Sequence, residues 1–179
     1  SIKRVNQGGA PIKIRLVKGA NLAMEQLESS LHLWPLAPYD KKCDVDANYK
    51  RMLIYGTKKE HVKASHIGIA SHNLLDLAFG LLLTSENEVD QFVSFEMLEG
   101  MAEAVSQVVL QLSGNMLLYC PAANNEDFQN AVAYLVRRLD ENTAPGNFLR
   151  EAFSLQPESE EWKKQAELFL KSCDKSDFI

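Results

Sequence analysis

Ile12-Lys-Ile-Arg-Leu-Val17, with Gly8-Gly9 and Pro11 before it and Lys18-Gly19-Ala20 after it, decides how the rest of the chain is read. Its aliphatic and β-branched residues between turn formers favour a strand. Directly behind it, residues 20–31 are rich in helix formers, with Leu27 and Leu31 four apart, and favour a helix. The same rhythm returns three times. Residues 66–71 read as a strand running into a helix at 73–84. Residues 92–97 read as a strand followed by Gly100 and a helix at 103–112. The turn at Gly114-Asn115 leads to a strand at 116–119 and a long helix at 126–142. One more helix, 45–55, with Asp44 as its N-cap, follows a loop that holds Pro35 and Pro38. Strands alternating with helices predict an α/β fold with a parallel sheet. Right-handed crossovers then leave an open doubly wound sheet or a barrel. Past Asn147 a short helix is expected, then a boundary near 155–159. A surface or linker helix follows at 160–173, with Trp162, Phe169 and Leu170 on its apolar side.

The chain has 179 residues, 46% apolar and 24% charged, with a formal net charge of −5. That apolar share can fill a core, which excludes global disorder. Nucleic acid is not an expected partner, because phosphate binding needs a concentrated basic face. Apolar runs such as Leu81-Leu82-Leu83 fall far short of a span of roughly 20 residues. Three cysteines without metal spacing point to a reduced, cytoplasmic setting. There is no H-E-x-x-H or C-x-x-C, so no metal site is expected, and no G-x-G-x-x-G or P-loop. The chain opens at Ser1 without an initiator Met and is expected to be processed or cut from something longer.

Parallel βα folds hold ligands at the carboxyl ends of their strands. Arg15 and Lys18, Ser71-His72-Asn73, Glu96 and Glu99, and Tyr119 all fall there. Alternation puts Lys13 and Arg15 on one face of the first strand and Ile12, Ile14 and Leu16 on the other. Inside a barrel, Arg15 needs a ligand or counter-ion; outside, it pairs with a helix acid. Lys18 is a Schiff-base candidate if desolvation lowers its pKa. His72 is an acid/base group, a stacking contact, or a cap on the next helix. His32, His61 and His66 read as surface or structural, and Cys120 as a buried thiol. On the helix 126–142, taking Tyr134 as zero at 100° per residue, Arg138 lies near +40°, Glu141 near −20° and Arg137 near −60°. Phe128, Ala131, Val132, Leu135 and Leu139 fall between about +60° and +160°. The polar sector is either a solvated face with i,i+4 ion pairs or a paired-guanidinium grip on a carboxylate.

Arg15-Leu-Val-Lys-Gly-Ala20, Trp34-Pro35-Leu36, Ala70-Ser-His-Asn73, Phe95-Glu-Met-Leu-Glu-Gly-Met101, Tyr119-Cys-Pro121 and Tyr134-Leu-Val-Arg-Arg-Leu-Asp-Glu-Asn142, with Asn147, Phe148 and Arg150 behind them, occur in one order. Together they resemble the flavin-dependent proline dehydrogenases, in particular the proline dehydrogenase domain of bifunctional bacterial proline utilisation A. The resemblance covers residues 10–153. It implies the second half (strands 5–8) of a distorted (β/α)8 barrel spanning 1–153, with its last helix over the barrel mouth and 154–179 as a linker or surface helix. It implies FAD at the strand ends and L-proline oxidised to Δ1-pyrroline-5-carboxylate by hydride transfer to flavin N5. By motif match, Arg137 and Arg138 would bind the proline carboxylate, and Tyr134 and Tyr119 would wall the substrate. Leu98 would pack near the proline ring, and Glu141 would support the arginines. Arg15 would lie by flavin N5, with Lys18, Gly19, Ala20, Ser71 and His72 also on the cofactor. Arg15 and Tyr119 are thus the catalytic candidates.

Two departures from the family pattern stand out. Asn21-Leu22 replaces an aromatic pair, and the first four βα units, with a family lysine and acid, are absent from this chain. The resemblance also implies a membrane quinone as electron acceptor, placing the parent at the periphery of the inner membrane. It implies NAD in a second domain outside this chain, and the missing half-barrel as a partner. The fragment alone is expected to be inactive. A half-barrel assembly module, pairing with a second copy as a homo-oligomer, and a Schiff-base lyase using Lys18 are the competing readings.

Overall fold

The computed structural model describes residues 2–19, 22–143, 147–152 and 154–176. Four strands, β1 (Ile12–Leu16), β2 (Ser65–Ala70), β3 (Val93–Leu98) and β4 (Met116–Tyr119), form one parallel sheet in the order β1-β2-β3-β4. The helices are α1 (Ile2–Asn6), α2 (Leu22–His32), α3 (Lys42–Gly56), α4 (Lys59–Val62), α5 (Leu74–Glu86), α6 (Glu103–Ser113), α7 (Phe128–Thr143), α8 (Phe148–Ala152) and α9 (Glu160–Ser176). This is the expected α/β class, with sequential parallel strands joined through helices, as in a barrel wall.

Register divides the sheet into two chemically distinct faces. Leu16, Ile67, Ile69, Val93, Phe95 and Met97 point toward α3 and α5 and form the core with Tyr49, Leu53 and Leu77. Two glycines let the helices come close. A Cβ on Gly56 would stand 2.9 Å from Ile67 Cδ1, and one on Gly80 would stand 2.9 Å from Ile69 Cδ1. The opposite face carries Lys13, Arg15, Gly68, Ser94 and Glu96.

Several boundaries differ from the sequence reading. α3 begins three residues early, after Lys41, which makes no side-chain cap. Asp44 is therefore not an N-cap; it lies in the first turn and pairs with Lys175 of α9. Asn73, rather than His72, caps α5, its Oδ1 accepting from the Leu75 and Asp76 amides at 2.9 and 3.4 Å. Cys120 is exposed and not a buried thiol, because the strand before it lies at the sheet's edge. The apolar stripe of α7 is open to solvent, with Phe128 63% and Leu139 57% exposed. α9 docks on α3: Lys50 donates to Ser172 Oγ at 2.7 Å, its Nζ lies 4.2 Å from the Phe169 ring centre, and that ring meets Phe79 edge-on. Leu170, expected on the apolar side, is 61% exposed. No helix of the described residues is long and apolar enough to cross a membrane.

Candidate functional site

At the carboxyl ends of the strands a cavity of about 340 Å³ opens between the sheet and α7–α8. Strands that end together under α7 create it, since each turn after a strand delivers polar groups to the same rim. β1 and its turn supply Arg15, Val17, Lys18 and Gly19; β2 supplies Ala70, Ser71, His72 and Asn73; β3 supplies Glu96 and Leu98. From above come Tyr134, Arg138 and Asn142 of α7, and Asn147, Phe148 and Leu149. Ten of the residues singled out from sequence are therefore brought together: Arg15, Lys18, Gly19, Ser71, His72, Asn73, Glu96, Leu98, Tyr134 and Arg138.

The others fall differently. Arg137 is exposed and does not line the cavity, whereas Arg138 does. The helix turns its 0° to +80° sector inward, and Arg137, about −60° away, misses it. Tyr119 does not line the cavity itself, but its ring centre is 4.1 Å from the guanidinium carbon of Arg15, which does. Ala20, and with it Asn21, lies outside the described residues, as does the side chain of Glu141. Sequence reasoning missed Lys42 and Asn142. Asn142 was legible, since it continues the Tyr134–Arg138 stripe at i+4. Lys42 was hidden by the late helix start.

The electrostatics are asymmetric. Arg15 Nε donates to Glu96 Oε2 at 2.8 Å, and Lys13 Nζ lies 2.7 Å from Glu96 Oε1. Arg15 therefore faces inward, and its counter-ion is a strand acid, not a helix acid. Lys18 is held by Asp46 at 2.6 Å and Asp76 at 2.5 Å. Burial alone would lower its pKa, but the two carboxylates outweigh it and hold the ammonium above its ordinary range. A Schiff-base lysine needs a free amine, so these two ion pairs count against the lyase reading. Asp76 also contacts Lys50 at 3.5 Å and accepts from Ser71 Oγ at 3.3 Å, tying the rim to the buried layer below. His72 Nε2 accepts the Leu98 amide at 3.1 Å, which leaves the proton of the neutral ring on Nδ1. Burial, joined by the Arg15 charge, pushes its pKa down. On α7, the Arg138 guanidinium carbon sits 5.3 Å from the Tyr134 ring centre. Among the described residues no group of three His, Cys, Asp or Glu could hold a metal ion.

No curated protein sequence matches the chain. Among solved structures, proline utilization A from Corynebacterium freiburgense is 42% identical, with a TM-score of 0.81 over 97% of this chain. Proline utilization A from Bdellovibrio bacteriovorus, solved after inactivation by N-propargylglycine, is 32% identical, with a TM-score of 0.80 over 97% of this chain. The chain spans 16% and 17% of those two proteins. Residues 1–151 match the proline dehydrogenase family. With the strand-end cavity, its α7 arginine and this match in hand, the chain belongs to the proline dehydrogenase family.

Proposed function

We propose that this chain forms the substrate-gripping half of an FAD-dependent proline dehydrogenase that oxidises L-proline to Δ1-pyrroline-5-carboxylate. The observation that carries the reading is the meeting of Tyr134 and Arg138 from α7 with Arg15 and Leu98 from the strand ends across one cavity. Arg138 takes the carboxylate, because a guanidinium fork matches it bidentately. Tyr134 packs beside Arg138 and walls the proline ring, and Leu98 gives that ring an apolar surface. Arg137 stands outside the cavity, so the grip rests on Arg138. Fixing a small rigid substrate in this way converts binding into orientation, which is where proteins of this kind gain rate.

The donor set fits a flavin. Gly19 has φ near +101°, and nothing lies within 4 Å of where its Cβ would stand, so the backbone there is open to close approach. Arg15, Ser71 and His72 offer donors suited to carbonyl oxygens and ring nitrogens. Lys18, engaged by two aspartates, shapes the turn rather than gripping a phosphate. Lys42, 48% exposed at the rim, is the cation better placed for that task, although it also reaches Asp46 at 2.6 Å. When bound, the flavin supplies hydride acceptance from proline C5. The residues here hold the substrate, orient it, and cover the site from α7 and α8. The test is the full-length protein. It should carry a flavin absorbance band and reduce an artificial electron acceptor on addition of L-proline. Absence of either, in folded protein supplied with FAD, overturns the reading.

A further inference from the structure

Glu96 is a carboxylate with no side-chain exposure on the inner face of the sheet, yet it lines the cavity. Three groups serve it. Lys13 Nζ and Arg15 Nε lie at 2.7 and 2.8 Å, and Ser94 Oγ donates to Oε1 at 3.3 Å. Its two cationic partners are on β1, two strands away from β3, so the side chain must cross β2. It does so over Gly68, the residue that pairs with Arg15 in the β1–β2 register. A Cβ on Gly68 would stand 2.1 Å from Glu96 Oε1 and 2.6 Å from its Cδ. The missing side chain of Gly68 is therefore the passage through which the carboxylate reaches Arg15. Arg15 is fixed from two sides, by Glu96 on Nε and by the Tyr119 ring on its guanidinium plane, and it remains 39% exposed. One anion between two cations leaves this floor with a single net positive charge.

We propose that Glu96, admitted by Gly68, is the positioning residue for Arg15: it fixes the plane of the guanidinium presented to the cavity and sets the local charge there. The proposal rests on the functional reading above for what Arg15 faces. It does not rest on that reading for the geometry itself. A buried ion pair fixes orientation more than it adds stability, because desolvation offsets most of the attraction. Losing the carboxylate leaves two like charges at the floor and frees the guanidinium to rotate.

The experiment uses the full-length protein with Glu96→Gln, Glu96→Ala, Gly68→Ala and the double variant Gly68→Ala/Glu96→Ala. In Glu96→Gln, which keeps the shape but not the charge, the flavin reduction potential should rise and FAD should bind about tenfold more weakly. The fall should be in kcat, with KM for proline within about twofold, since Arg138 is untouched. Gly68→Ala should lower the melting temperature in the native background and have no effect once residue 96 is Ala, because nothing then occupies the passage. An unchanged potential and FAD affinity in Glu96→Gln would overturn the proposal. So would a Gly68→Ala effect that persists in full in the Glu96→Ala background. If the wild-type protein holds no FAD, the functional reading falls. The Gly68–Glu96 coupling in melting temperature, which needs no cofactor, separates that failure from a failure of the Glu96 geometry.

Discussion

Replacing Asp76 by Asn removes a charge that three groups share. Asp76 is 1% exposed, with Lys18 at 2.5 Å, Lys50 at 3.5 Å and Ser71 Oγ at 3.3 Å. Lys18 would keep Asp46. Lys50, 1% exposed, would keep the Ser172 hydroxyl and the Phe169 ring but no carboxylate among the described residues. A pair at that separation is worth about 5 kcal/mol at an effective dielectric constant near 20, before desolvation is subtracted. Orphaning one member of a buried pair costs about 3–5 kcal/mol. For a chain of this size that corresponds to a fall of about 6–20 °C in melting temperature. The assay is thermal unfolding of Asp76→Asn, followed by Lys50→Met in the same background. Replacing the orphaned lysine by an apolar side chain of similar length should recover roughly half of the loss. An Asp76→Asn melting temperature within about 1 °C of wild type would refute the reasoning, as would strictly additive damage from the second change.

Four further outcomes follow from the same contacts. Gly80→Ala would place a Cβ 2.9 Å from Ile69 Cδ1 and 3.2 Å from Phe95 Cε1, and should cost about 1–3 kcal/mol by urea melts, from overpacking. Burial alone would raise the Asp46 pKa, but Lys18 and Lys42 outweigh it and hold it below its ordinary 3.8. Its contribution is therefore present above that value and lost as pH falls through the folded pKa, and Asp46→Asn should flatten the acid limb of a stability–pH curve. Lys18 has the opposite sign: its folded pKa is raised above 10.5, so its contribution is full below that value and is lost as pH rises through the folded pKa. The Glu99 carboxylate, by accepting a hydrogen bond and by its charge, raises the Cys120 pKa. Alkylation of Cys120 at pH 8, read site by site by mass spectrometry, should therefore quicken in Glu99→Gln.

Much of the fold was legible because each strand is a short aliphatic run closed by a turn residue. Ile12–Leu16, Ser65–Ala70, Val93–Leu98 and Met116–Tyr119 all fall within a residue or so of where those runs predict them. The short helices Ile2–Asn6 and Lys59–Val62 gave no periodic signal, since neither has enough turns to repeat one. Asp44 misled because an acid in a first turn and an N-cap look alike in sequence. The Tyr134–Arg138 stripe was legible from helical geometry, although the arithmetic alone did not say which edge of the polar sector faces inward. That choice excluded Arg137 and included Asn142. Contacts made across the sheet were beyond reach: Arg15 meets Glu96 81 residues away, and Lys50 meets Ser172 122 residues away. Spacing along the chain carries no information about either.

The central claim is that Arg138 grips the carboxylate of proline in this cavity. The direct measurement is steady-state oxidation of L-proline by the full-length protein and by its Arg138→Ala variant, with melting temperature and flavin content matched. Loss of two charge-assisted hydrogen bonds, at about 1.5–3 kcal/mol each, predicts a fall of 100-fold or more in kcat/KM, expressed mainly in KM. An Arg138→Ala protein whose KM for proline equals that of wild type would contradict the account.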